Sequence, residues 1–276
     1  MPSSAAVGRV EKAETLQREP REIVTVMFNP NHRLFQIAFK AELSAAALAR
    51  MWGCLNQMGI RILSASMTSR DGVVGSFDVF LDSADYGITA GALRPKLEAL
   101  PNVRDIRIAQ GADLIANRLF FPLVDSTGRR VMVISKDAFQ TMLSALGVEF
   151  GSGESVVAYL EGRAIGSSTA ATLRSMVPGN PTRFAGELVN IYTATGIGAC
   201  ELLQFNLEPV HIVLQFGENI ECKGKHTDRP NSQWLRGHLE GATSVMLDTQ
   251  MSCREMRCVA KGDQYCVFDL TKSEGC

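Results

Sequence analysis

The residues best suited to chemistry crowd one short stretch near the C-terminus, where Cys253, Glu255, Cys258 and Cys266 fall within fourteen positions. Gly262-Asp263, between the last two cysteines, is the residue pair of a tight hairpin turn. A hairpin there brings Cys258 and Cys266 together and leaves Glu255 one short step upstream. Thiolates and carboxylates are both zinc donors, held at about 2.0–2.3 Å in a tetrahedral site. Metal binding is the chemistry this spacing suggests. Reduced thiols simply packed in a hairpin are the alternative that spacing alone leaves open.

The other cysteines point elsewhere. Cys54 lies among apolar residues of an expected helix and Cys200 follows Gly196-Ile197-Gly198-Ala199, so both read as small packed side chains. Cys276 is terminal. Seven cysteines, an odd number, without a hydrophobic leader in the small, polar first 22 residues suggest a reducing, cytoplasmic setting. The chain has 276 residues, 46% of them hydrophobic, and a net charge of -1. No apolar run reaches the ~18–20 residues of a membrane helix, so no membrane partner is expected. Lys223, Lys225, His226 and Arg229 form a short cationic group interrupted by Gly, Thr and Asp, which reads as a solvated loop. Direct nucleic-acid binding is therefore not expected. A dinucleotide-binding G-x-G-x-x-G after a strand is missing, since Gly196-Ile197-Gly198 has no third glycine, and no nucleophile-base pair stands out. An enzyme is the weaker reading.

Two dissimilar units are expected to carry these residues, after an N-terminal tail over 1–30. The first, 31–112, reads β-α-β-β-α-β. Strands are expected over 33–41, 60–67, 73–81 and 103–109, with helices over 43–58, closed by Gly59, and 90–100, where Pro95 suits a first turn. Such a succession builds a four-stranded antiparallel sheet with both helices on one face. It resembles the ACT regulatory domain, a ferredoxin-like module that binds small molecules and pairs with itself. The resemblance implies a ligand near the first strand-to-helix loop, often beside a glycine. Here that loop is Lys40-Ala41-Glu42-Leu43, without glycine, so a structural or homodimerising role is expected instead.

The second unit, 113–276, opens with expected strands over 119–124 and 130–134 around Asp125-Ser126-Thr127-Gly128. Ser135 or Asp137 caps a helix carrying Phe139, Met142, Leu143 and Leu146, broken at Gly147. A helix over 154–165 is followed by a Ser/Thr/Ala-rich stretch, and the break at Pro178-Gly179-Asn180-Pro181 precedes a helix over 182–193. Strands are expected over 200–207 and 210–216, a helix over 232–247 with Gly237 and Gly241 four apart, and the hairpin over 248–270.

From Gly237 onward, the Gly-His-Leu-Glu-Gly run, the Cys253-to-Cys258 hexapeptide and Gly262-Asp263-Gln264-Tyr265-Cys266 resemble the 4-vinyl reductase, or hydrocarbon-binding, domain. The likeness spans roughly 115–270 and is specific in the last thirty-five residues. It implies an α/β fold similar to TRAPP vesicle-transport subunits, enclosing an apolar ligand chamber. By the same resemblance, zinc is held by Glu255, Cys258, Cys266 and one earlier cysteine. An ungapped count puts Ser232 at that earlier place, so Cys222, Cys253 and His226 remain open as substitutes. Family members that sense aromatics hold the ligand with an aromatic and a histidine. The candidates here are His211, Trp234, Phe184, Tyr192 and Phe205, with His238 equally placed to be a core residue. The expectation is an α+β regulatory protein, a homodimer, that binds an apolar or aromatic small molecule in a zinc-stabilised domain. A reductase acting on a tetrapyrrole vinyl group, or its accessory, and an acyl-chain-binding scaffold are the alternatives.

Overall fold

The computed structural model describes residues 25–83, 87–125 and 127–273, with Pro20 and Ile23. Most of the expected N-terminal tail, Ser126 of the expected turn, and Cys276 lie outside the described residues. The chain separates into two compact units, one up to Met132 and one from Val133. Each contains a four-stranded antiparallel sheet, so the architecture is mixed α+β.

The first unit runs β1 (Val26–Glu42), α1 (Ala45–Gln57), β2 (Arg61–Thr68), β3 (Val74–Ser83), α2 (Ala90–Glu98) and β4 (Val103–Ala116), with strand order β2-β3-β1-β4. Ser44 and Thr89 start the helices by accepting the N–H of Ala47 and Ala92, each at 3.2 Å. Gly59, at φ +67°, releases the chain from α1. Pro95 lies inside α2 rather than in its first turn, and the helix stops at Glu98. Phe35, Ile37, Phe77, Val79 and Leu81 pack with Met51, Leu55, Leu93 and Leu97, placing both helices on one sheet face.

The other face is covered too, which is why 34–39 of β1 are buried without alternation. Leu34, Phe80, Ala109 and Ile115 pack there with Leu119. The buried Gln36 amide donates to Asp78 at 2.9 Å and Asn117 at 2.6 Å, and accepts from the N–H groups of Arg118 and Leu119. Asp125 likewise accepts the N–H groups of Thr127 and Arg129. Side chains thus occupy backbone donors that a ladder would need. The strands expected over 119–124 and 130–134 are absent, leaving one bridge between Val124 and Arg130.

The second unit contains α3 (Lys136–Phe150), α4 (Glu154–Met176), α5 (Pro181–Ala194), β5 (Ala199–Leu207), β6 (Val210–Gly217), α6 (Gln233–Leu247), β7 (Met251–Arg257) and β8 (Cys266–Lys272), in sheet order β5-β6-β8-β7. Ser135 and Asn180 cap α3 and α5. Two boundaries differ from expectation. α3 continues through Gly147 and closes at Gly151, whose φ is +53°. α4 does not end near 165 but runs on to Met176.

The extension of α4 follows from its packing on α6. A Cβ at Gly166 would stand 2.0 Å from the carbonyl oxygen of His238, and one at Gly237 would stand 2.0 Å from that of Tyr159. The two helices touch backbone to backbone, which only glycine permits. That contact outweighs the cost of about 1 kcal/mol that glycine imposes on a helix. It also sets the place of His238, on the α6 turn that meets Gly166.

Candidate metal centre and aromatic core

Four elements of the second unit converge on one buried cluster. Cys222 comes from the loop after β6, Glu255 from β7, Cys258 from the residue after β7, and Cys266 opens β8. One donor atom from each lies within 4.8 Å of the others, and all four residues are buried. The Sγ atoms of Cys222 and Cys258 are 3.6 Å apart. Thiolates sharing a tetrahedral zinc at about 2.3 Å stand about 3.8 Å from one another, so the observed spacing suits such an ion. The connection 258–265 is wider than the two-residue turn expected. Gly262 takes φ +102° and the Asp263 carboxylate accepts the Cys258 N–H at 2.8 Å.

Hydrogen bonds converge on the sulfurs. The N–H of Asn231 points at Cys258 at 3.4 Å, that of Val259 at Cys266 at 3.3 Å, and the Asn219 amide at Cys266 at 3.3 Å. Donors aimed at sulfur favour thiolates. The Cys222 and Cys266 thiols beside Cys258 hold its thiol well below the usual range, while the same contacts push Cys222 up. Cys258 is therefore the sulfur that stays deprotonated. Burial raises the Glu255 carboxyl to about 7, against the Ser232 hydroxyl that bonds it at 2.7 Å. A divalent cation would reverse that rise, since it favours the ionised form. The donor set fits a structural zinc: three sulfurs and one carboxylate, all buried, with hydrogen bonds behind them.

Of the candidates for the fourth donor, Cys222 is the one in the cluster. Ser232 sits among the ligands, its Oγ 3.1 Å from Cys222 Sγ, and bonds Asn219 and Glu255. Cys253 shares the buried face of β7 with Glu255 but lies outside the four-donor group, as does the exposed His226. Ser232 does not cap α6. That task falls to Glu221, whose carboxylate accepts the N–H groups of Trp234 at 3.0 Å and Leu235 at 2.6 Å. Burial pushes Glu221 up to about 8 against these two donors. Nothing in the sequence marked Glu221 or Asn219, because their partners are backbone groups and sulfurs far along the chain.

A second constellation fills the core between α5, α6 and the sheet. Tyr192 is fully buried and its hydroxyl shares a 2.9 Å hydrogen bond with Nδ1 of His238. Trp234, one turn before His238 on α6, lies 5.1 Å from it by ring centres, and Phe216 lies 5.4 Å from Tyr192. Burial lowers His238 to about 4, so its imidazole is neutral at pH 7. Phe184 is buried in the same core and Phe205 packs at its margin. His211 is not brought to this interior. It lies on the opposite face of β6 from Ile212, Leu214 and Phe216, half-exposed, bonded to Gln204 at 3.0 Å and 2.9 Å from Asp269. Period-2 alternation sends it outward while its neighbours pack inward. Beside Tyr192, an apolar void of about 10 Å³ is lined by Leu188, Leu202, Ile212, Leu214 and Met246, among others.

The family model of the 4-vinyl reductase domain matches residues 212–272, a segment that runs from β6 through β8 and holds all four metal-type donors. No curated protein matches the chain. Among solved structures, the chain is similar to the phenol-responsive sensory domain of the transcription activator PoxR, solved with phenol, at 15% identity over 52% of this chain and 77% of that one, TM-score 0.49. A vinyl-4-reductase family protein from Methanocaldococcus jannaschii is similar at 19% identity over 52% and 85%, TM-score 0.39. A trafficking protein particle complex subunit 3 from Naegleria fowleri, covalently bound to palmitic acid, is similar at 12% identity over 50% and 95%, TM-score 0.40. No helix among the described residues is long and apolar enough to cross a membrane.

Proposed function

We propose that this chain is a regulatory binding protein whose C-terminal unit takes up an apolar or aromatic small molecule. The observation that carries the reading is the Tyr192–His238 hydrogen bond, flanked by Trp234 and enclosed by apolar side chains beside a void. A polar pair in an apolar setting can orient a ligand that burial holds. The void has room for about one water, so a ring-sized ligand opens its own chamber by displacing side chains of α5 and the sheet. Trp234, Tyr192, Phe184 and Phe205 are the proposed contacts, with His238 replacing His211 as the histidine.

Zinc held by Cys222, Glu255, Cys258 and Cys266 braces the hairpin in this proposal. With all four positions supplied by protein, the ion is structural, and its binding energy becomes folding energy. Ligands of this kind must be reduced and deprotonated, which suits a cytoplasmic protein. The N-terminal unit serves as an ACT-like pairing module that forms a homodimer. Support comes from its edge strand β2, exposed along most of its length with Ile62, Leu63 and Met67 at the surface.

Elemental analysis of the purified full chain tests the metal, and phenol titration followed by Trp234 fluorescence tests the chamber. One zinc per chain, lost in Cys258→Ser, together with saturable phenol binding weakened in His238→Phe, supports the proposal. A copurifying acyl chain in native mass spectrometry would make the domain a scaffold instead, and a copurifying redox cofactor would make it a reductase.

A further inference from the structure

An open pocket of about 480 Å³ lies on the solvent side of Glu255, lined by Ser155, Arg229, Pro230, Gln233, Arg236 and Arg254. Three guanidinium groups thus frame one hollow. Among the described residues, none of the three has a carboxylate within ion-pairing distance. Glu255 does not serve them, because its two oxygens accept the N–H of Ser232 at 3.1 Å and the Ser232 hydroxyl at 2.7 Å. Glu240, behind the pocket, is also committed: it accepts the Tyr159 hydroxyl and, at 3.1 Å, the Cys253 N–H.

Arg236 adds an independent sign. Its guanidinium lies 4.7 Å over the Tyr159 ring, which fixes its orientation, and its buried Nε has no hydrogen-bond partner. A buried donor without a partner is costly, and a guanidinium stacked on an aromatic is already ordered for a second interaction. Arg254 projects from β7 and Arg229 from the loop before α6, so the three cations come from separate, anchored elements.

We propose that this pocket binds a doubly charged oxyanion of the phosphate class. Three forked, permanently charged donors match a tetrahedral dianion better than a single carboxylate, which one guanidinium can satisfy. The pocket has room for more than the anion itself, so the group recognised can belong to a larger molecule. The proposal is independent of the aromatic chamber and of the metal, since Glu255 enters only as a wall.

The test is calorimetric titration of the full chain with inorganic phosphate, with acetate and chloride run at matched ionic strength. Phosphate is expected to bind saturably, and acetate and chloride are not. Arg229→Gln and Arg254→Gln, both at exposed positions, should each weaken phosphate by about tenfold. Arg229→Lys keeps the charge and loses the fork, so it should fall between wild type and Arg229→Gln. Unchanged melting curves establish that these variants fold. Phosphate heats equal to those of chloride, or variants that bind phosphate as wild type does, would overturn the proposal. Acetate binding as tightly as phosphate would overturn the assignment to a dianion.

Discussion

Replacing Gly166 by alanine adds one methyl group where α4 meets α6. Its Cβ would stand 2.0 Å from the His238 carbonyl oxygen and 2.7 Å from the carbon of that carbonyl. The obstructing atoms are backbone and cannot swing aside. To reach even 3.0 Å, the helices must part by about 1 Å locally. A gap of that size forfeits a quarter to a half of the dispersion energy of the facing groups. Overpacking costs of this kind run to about 3 kcal/mol, occasionally more, and about 1 kcal/mol of helix propensity is recovered. A net loss of about 3 kcal/mol at the tight end corresponds to roughly 6–12 °C in melting temperature for a protein of this size. The matched control is Gly186→Ala on α5, where nothing lies within 4 Å of the added Cβ. That substitution should raise stability by about 0.5–1 kcal/mol through propensity and a stiffer unfolded chain. Thermal denaturation by circular dichroism reads both. A Gly166→Ala protein that melts within a degree of wild type, or a Gly186→Ala protein equally damaged, would refute the claim that the two helices meet backbone to backbone.

Two further outcomes follow from the aromatic core. Tyr192→Phe leaves His238 Nδ1 buried without its partner and should cost about 1–3 kcal/mol in denaturant unfolding; an unchanged midpoint would remove that bond from the account. Stability should also fall on acidification through His238. Its folded pKa, about 4, lies below the unfolded value of 6.5, so between these pH values the unfolded chain takes up a proton that the folded one refuses. The contribution is fully present above 6.5 and fades by up to ~3 kcal/mol as pH falls to 4. Glu221 and Glu255, raised to about 8 and about 7, act in the opposite sense, stabilising as pH falls toward their unfolded range. The readout is therefore the difference in melting temperature between wild type and His238→Gln, which should shrink from pH 6.5 to pH 4. A constant difference would count against a neutral buried histidine.

Much of the secondary structure was legible because its signals are local. Ser44, Thr89, Ser135 and Asn180 each hold a backbone N–H three residues ahead, and such caps leave their mark within a single turn of sequence. The failures came where distant groups intervened. The expected strands over 119–124 and 130–134 gave way to side chains of Gln36 and Asp125 that claim backbone donors. The expected end of α4 near 165 failed because a glycine that weakens an isolated helix is what allows α6 to approach.

The sequence by itself determined that Glu255, Cys258 and Cys266 would meet, since neighbouring strands of one hairpin bring near residues together at little entropic cost. It also determined two units of α+β character, from alternation, helical stripes and turn residues. Tertiary structure decided the rest. It selected Cys222 over Cys253 and His226, because a strand face shared with Glu255 does not fix where a sulfur lands in space. It turned His211 outward and enclosed His238 between Gly166 and Tyr192. Such choices depend on which surfaces are pressed together across a hundred residues of chain, and packing of that range has no periodicity for a sequence to display.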